Sequence, residues 1–298
     1  VSESTKALLA AILAFACWGL FPIYWKFFPE LSGESLFMQR LFWSVVTLMI
    51  IIPLSGKVRG VKAILSDKRR WWLLLSAILI ASNWLIYVVA VTQGHILEAS
   101  MGYFLNPLLN VVIGWLFLKE TLRTTQWPAV AFAVIGVVWM TLASGLAGFP
   151  WLALTLSITF AFYGVIRKLT QVGSLEGLAY ETAVVFLPFL AWWLWSGGDI
   201  AGDYEKIGPV KLSALALSGV ITCLPLVLFA YASRRLTLQS LGFTQYISPS
   251  LKFLCGWALF HEPMSAARWQ GFIFIWAGLI WYTTEQVYFS QKHRLSRR

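Results

Sequence analysis

Charge is scarce in this sequence. Only 12% of its 298 residues are Asp, Glu, Lys or Arg, and acidic residues number 13, whereas roughly a quarter of an ordinary soluble domain is charged. A water-facing surface cannot be built from so little, so a soluble globular domain is excluded. Cysteine is also rare: Cys17, Cys223 and Cys255 stand singly in three separate apolar stretches, which excludes a disulfide framework and any metal-type spacing. The three histidines, His95, His261 and His293, are isolated. His261-Glu262 lacks the second histidine of a zincin helix, and neither a Gly-x-Ser-x-Gly elbow nor a phosphate-binding Gly-x-x-x-x-Gly-Lys loop occurs. No enzyme is expected, and no metal or other cofactor. Long hydrophilic connectors are missing too, leaving no room for an attached catalytic domain.

What is present is apolar. With 59% hydrophobic residues, runs of 18 or more predominantly apolar residues are candidate membrane helices. Ten such spans are expected, at 7–28, 35–54, 71–92, 97–118, 126–144, 150–168, 177–195, 211–232, 239–260 and 267–288. The first has no small-residue cleavage site and is expected to be a retained helix. Trp71, Trp72, Trp192, Trp193 and Trp195 fall at span ends and are expected to anchor at the interfaces.

The net charge of +10 is distributed by topology. Lys6, the six cations between spans two and three, Lys119, Arg123, Arg167, Lys168, Arg234, Arg235 and the four of the tail fall on one side if both termini do. The opposite side has Lys26, Lys206, Lys211 and Arg268 beside Glu30, Glu34, Asp199, Asp203 and Glu205. The positive-inside rule makes the basic side, with both termini, cytoplasmic. Nucleic acid is therefore not an expected partner; a small-molecule solute and membrane lipid are.

An offset of 142 residues superposes the halves of the chain. It pairs Pro107 with Pro249, Gly114 with Gly256, Trp115 with Trp257, Glu120 with Glu262, Trp127 with Trp269, Gly136 with Gly278 and Trp139 with Trp281. Residues 1–146 form the first repeat, with helices 1–5, and 147–298 the second, with helices 6–10. Five spans is an odd number, so the second repeat enters the membrane from the opposite side. Inverted repeats of this kind place a substrate site near the midplane between the halves.

Several longer segments carry a resemblance. They are Gln39-Arg40-Leu-Phe-Trp43-Ser44, Asn83-Trp84 with Tyr87, Gly94-His95-Ile-Leu-Glu98-Ala99-Ser100-Met-Gly102-Tyr103-Phe104-Leu-Asn106-Pro107, Phe160-Ala161-Phe-Tyr163-Gly164-Val-Ile-Arg167-Lys168, Glu181-Thr182 and Gln245-Tyr246-Ile247-Ser-Pro249. On these the chain resembles the EamA family of the drug/metabolite transporter superfamily, and within it the RarD-type permeases. The resemblance implies an all-α integral membrane fold with ten transmembrane helices around a central cavity. It also implies a permease of the cell inner membrane for a small organic solute such as a metabolite, amino acid or drug-like molecule. Alternating access is the mechanism that the inverted repeats themselves predict, two near-equivalent packings exchanged between the halves, and export is the favoured direction. Lys252 stands where that pattern has an apolar residue. A lipid flippase of the same fold is the alternative, and an intramembrane enzyme stands behind it.

Polar side chains within spans mark the expected site, because each is costly in hydrocarbon unless it faces protein or water. Asn83, Trp84 and Tyr87 share a face of span three, and Tyr103 and Asn106 share one of span four. With Trp18, Tyr163, Gln245 and Tyr246 they are the expected cavity lining, although interhelical packing alone also explains such residues. Pro107 and Pro249 are expected to kink their helices. Arg40 with Glu98 near the outer side, and Glu181 with Arg167 near the inner side, are expected as alternating charge-pair gates.

Overall fold

The computed structural model describes residues 3–118, 123–144, 149–170, 172–233, 235–236 and 244–295, and among these the secondary structure is helical with no strand. The chain runs through α1 (Glu3–Lys26), α2 (Gly33–Leu54), short α3 (Val58–Ser66), α4 (Arg70–Thr92), α5 (Ile96–Leu118), α6 (Trp127–Ser144), α7 (Trp151–Thr170) and α8 (Ser174–Trp195). It continues through α9 (Ile200–Ala216), α10 (Ser218–Ser233), α11 (Ile247–Leu254) and α12 (Ala266–Leu295). Six helical stretches among the described residues are long and apolar enough to cross a membrane, with a shorter apolar one at Trp151–Arg167. Nine of the ten expected spans coincide with described helix along most of their length. The first part of the ninth lies outside the described residues.

Lipid is the solvent for the outer surface. Leu54, Leu142 and Leu187 are more than 60% exposed, a display that water would penalise by about 25 cal/mol per Å² of apolar area. Trp71, Trp72, Trp192 and Trp195 are exposed at helix ends as expected, but Trp193 is buried at 3%. Residues 192 and 195 share one helix face while 193 turns about 100° away, under Gly198, where an added Cβ would lie 2.3 Å from the indole.

The halves pack through equivalent contacts. The pairing of α5 with α7 is matched by α11 with α1, that of α4 with α7 by α10 with α1, and that of α4 with α8 by α10 with α2, while α6 meets α12 and α2 meets α8. Exchanging the repeats maps each contact onto another or onto itself. Two glycines fix the direction. A Cβ on Gly136 would come within 2.8 Å of the Gly271 carbonyl oxygen, and one on Gly278 within 2.8 Å of that of Ala129. Positions 136 and 278, like 129 and 271, differ by 142, so the contact is reciprocal, as across a twofold axis. Its two points lie seven residues apart on each helix. Parallel helices could not satisfy both, since each point would shift the register about 10 Å in opposite senses. α6 and α12 are therefore antiparallel, the relation an inverted repeat requires.

Departures from regular helix cluster in the second half. α9 breaks at Gly208, whose φ of 69° suits a residue without Cβ, next to Pro209. The helix before α11 is interrupted at Tyr246, within the turn whose hydrogen bond Pro249 cannot donate, and α11 ends in a π-helical turn at Cys255–Leu259. Pro107 lies in continuous helix, and its side chain is outside those described. The three cysteines are free, with Cys223 and Cys255 buried.

Candidate functional site

The centre of the molecule is a polar knot inside an apolar bundle. Asn83 on α4 is 1% exposed; its Nδ2 donates to the Leu156 carbonyl at 2.7 Å and to Thr159 Oγ1 at 2.9 Å on α7. The Tyr103 hydroxyl of α5 donates to Asn83 Oδ1 at 3.2 Å, and the Tyr87 and Tyr103 rings meet edge to face at 5.8 Å. Asn83 thereby uses both ends of its amide, the arrangement a buried amide needs. Gly102 lets α5 and α7 come close here, since its Cβ would reach within 2.6 Å of the Ala153 carbonyl oxygen.

The second half closes the knot with a cation. Lys252 of α11 is 4% exposed, and its Nζ lies 3.4 Å from the centroid of Tyr103 and 4.5 Å from that of Tyr87. Arg40 of α2, equally buried, stacks 4.0 Å over Trp84, while its Nε donates to Thr222 Oγ1 of α10 at 3.1 Å. Tyr87, Tyr103 and Cys223 lie within electrostatic range of Arg40. The Tyr87 hydroxyl is buried here without a hydrogen-bond partner; Asn106 Oδ1, three residues along α5 from Tyr103, is also unpartnered, as are several buried polar atoms elsewhere in the bundle.

The remaining expected residues lie around this centre or away from it. Trp18 packs against Phe15 and Phe229, and Tyr163 against Phe160 beside Glu181. Tyr246 packs with the α5, α6 and α12 core, and Gln245 is half-buried next to it. None of the expected lining residues borders the well-formed cavity at one end of the bundle. That cavity, about 540 Å³, lies at the expected outer end, between Glu34, Gln93, Glu98, Trp151, Trp192 and Arg268.

The two expected charge pairs differ. Glu181, 2% exposed, lies 3.6 Å from Arg167 and accepts a 2.6 Å bond from the Ser76 hydroxyl of α4. Lys57 joins Glu176 at 2.9 Å near the same end. Arg40 and Glu98 form no ion pair: Glu98 accepts from the Leu152 amide at 3.2 Å, and Arg40 turns to Thr222 and Trp84.

Ser76, Thr159 and Thr222 escaped the sequence reading because single hydroxyls are common in membrane helices, and nothing in their spacing singles them out. Glu262 was legible only as a repeat marker. Its carboxylate accepts from the Ile96 and Leu97 amides at 2.8 Å each, satisfying orphan donors and the positive end of the α5 dipole. Glu120, its counterpart in the first half, lies outside the described residues.

Comparison with known proteins agrees with this architecture. The profile of the EamA-like transporter family matches twice, at residues 5–142 and 149–284. A protein of Streptomyces exfoliatus named Protein RarD is 36% identical over 98% of this chain and 93% of its own length. An uncharacterized transporter of Vibrio cholerae is 39% identical over 95% and 93%, and the transporter YojE of Bacillus subtilis 38% over 96% of each. A solved crystal structure with 17% identity superposes with a TM-score of 0.61 over 95% of this chain and 98% of the other. The chain belongs to the EamA-like transporter family and is a multi-pass membrane protein.

Proposed function

We propose that this EamA-family chain is a secondary permease that carries a small organic solute across the cell inner membrane by alternating access, with export favoured and both termini cytoplasmic. The observation that carries the reading is the central knot. Side chains from α2, α4, α5, α10 and α11, drawn from both repeats, converge there and leave buried hydrogen-bonding atoms unmatched. A structure optimised only for packing would pair or remove those atoms, at about 1–3 kcal/mol each. Residues 1–146 and 147–298 act as the two rocking units, with Asn83, Trp84, Tyr87, Tyr103 and Asn106 facing the solute. Trp18, Tyr163, Gln245 and Tyr246 wall the path, and the Pro107 and Pro249 segments flex. The Arg167–Glu181 pair, with Lys57–Glu176 near it, holds the inner end closed in this conformation, while the outer end keeps the cavity.

Counterflow in proteoliposomes tests this. A preloaded solute should exchange with its labelled form in vesicles containing the chain, and Asn83→Ala, which releases Tyr103 and α7 from the hydrogen bonds that shape the knot, or Gln245→Ala, which strips a polar group from the path wall, should reduce that exchange at least about tenfold. Wild-type exchange from both variants contradicts the site. The outer cavity favours a second reading, flipping of an amphipathic lipid, because Glu98 and Arg268 line it beside Trp151, which is 66% exposed. Dithionite quenching of fluorescent lipids in the same vesicles separates the two.

A further inference from the structure

We infer that the central knot binds an organic anion, gripped between Arg40 and Lys252; this rests on the reading of that knot as the solute site and gives the solute a chemical class. Two cations buried to 4% exposure share this region without a carboxylate. Among the described residues neither forms an ion pair, and Lys252 makes no hydrogen bond. Acids elsewhere in the bundle are committed to other partners: Glu181 to Arg167 and Ser76, Glu98 to the Leu152 amide, Glu262 to the α5 N-terminus and Glu285 to Arg123.

The energetics leave a deficit. An aromatic face returns about 2 kcal/mol to a desolvated cation, whereas removing an ion from water costs several kcal/mol even after relaxation. Rings over Lys252 and under Arg40 therefore offset only part of the burial. An anion between the two would offset the rest.

Geometry narrows the class. Arg40 spends Nε on Thr222, which leaves its terminal nitrogens as a planar fork matched to a carboxylate or phosphate. The unpartnered Tyr87 hydroxyl supplies a further donor, and Asn106, on the face of α5 that carries Tyr103, would offer an acceptor to a ligand long enough to reach it. Trp84, Tyr87 and Tyr103 give the carbon skeleton apolar walls. The fit is to a small organic acid carrying a hydroxyl, and it disfavours a cationic or neutral drug. Lys252, which stands where an apolar residue was expected, makes this preference a property of this chain.

The experiment uses the purified full chain in nanodiscs of phosphatidylcholine, with tryptophan fluorescence as the binding signal. Malate and benzoate are titrated against their uncharged counterparts, malamide and benzamide. The acids should bind at least about tenfold tighter than the amides, and Lys252→Met and Arg40→Gln should each weaken the acids at least about tenfold. Should either variant lose its helical circular dichroism, Tyr87→Phe keeps the ring and removes only the free hydroxyl, and should weaken malate several-fold. Amides binding as well as acids, acids that do not bind, or folded variants with unchanged acid affinity would overturn the inference. Loss of malate binding when phosphatidylglycerol is added would reassign the anion to a lipid headgroup, which also overturns it. Counterflow separates the two readings. Exchange of neutral solutes without acid preference leaves the permease standing and removes the anion, while charge-dependent binding without exchange of malate, benzoate or the amides leaves the anion site and removes the permease.

Discussion

Arg40 on α2 and Glu181 on α8 stand one residue from matching places in the two repeats, since 40 plus 142 is 182. Both are buried, at 4% and 2% exposure. Their surroundings are opposite. Glu181 has a cation at 3.6 Å and a hydroxyl at 2.6 Å, so its charge is compensated within the protein. Arg40 has a tryptophan face and one threonine hydroxyl. The backbone repeats, but the charges do not. A compensated charge serves the fold, and an uncompensated one is retained at a cost to the fold, which is where function is expected in a membrane protein.

The largest effect that tests this comparison is on the compensated side. Arg167→Gln leaves the Glu181 carboxylate buried without its cation and should destabilise the protein by about 3–5 kcal/mol, read as a lowered unfolding midpoint in detergent. Glu181→Gln in the same background should recover much of the loss; no recovery would show that Arg167 acts through its backbone contacts at Val172 and Gly173. Next comes Ser76→Ala, which removes a hydrogen bond to a charged group worth about 1.5–3 kcal/mol.

A third test addresses the symmetry beneath the comparison. Gly136→Ala and Gly278→Ala each push a methyl against a carbonyl at the same 2.8 Å, an overpacking cost of about 1–3 kcal/mol. The two costs should agree within about 0.5 kcal/mol, the error to which independent sites compare. A large inequality would mean that the reciprocal α6–α12 contact is incidental.

The smallest effect on stability is expected at Arg40. Arg40→Met keeps volume and removes a buried charge that has no ion-pair partner, so the unfolding midpoint should stay or rise, while counterflow falls at least about tenfold. A stability loss as large as that of Arg167→Gln would erase the contrast between the two sites and leave Arg40 as a structural residue.

How much of this was legible before folding differs between fold and site. The membrane class, the spans and the repeat follow from composition and spacing alone, because hydrocarbon forces every backbone group into helix and a duplicated gene keeps its offset. Asn83, Tyr87 and Tyr103 were legible as a candidate site because polar side chains in apolar spans are rare enough to stand out; the structure brings them together as one bonded cluster. The expected pairing of Arg40 with Glu98 rested on similar depth in the membrane, and depth does not set azimuth. Arg40 faces α10 and α4, and Glu98 faces α7.

The sequence by itself determined a helical membrane protein of two repeats, since these depend on local hydrophobicity and periodicity. Only the tertiary structure decided which charges are answered. The antiparallel seam of α6 and α12, the seating of Lys252 on Tyr87 and Tyr103, and the capping of α5 by Glu262 each join residues more than 130 positions apart. Such contacts depend on helix rotation and crossing, which ridge-into-groove packing sets between whole helices and no local pattern records.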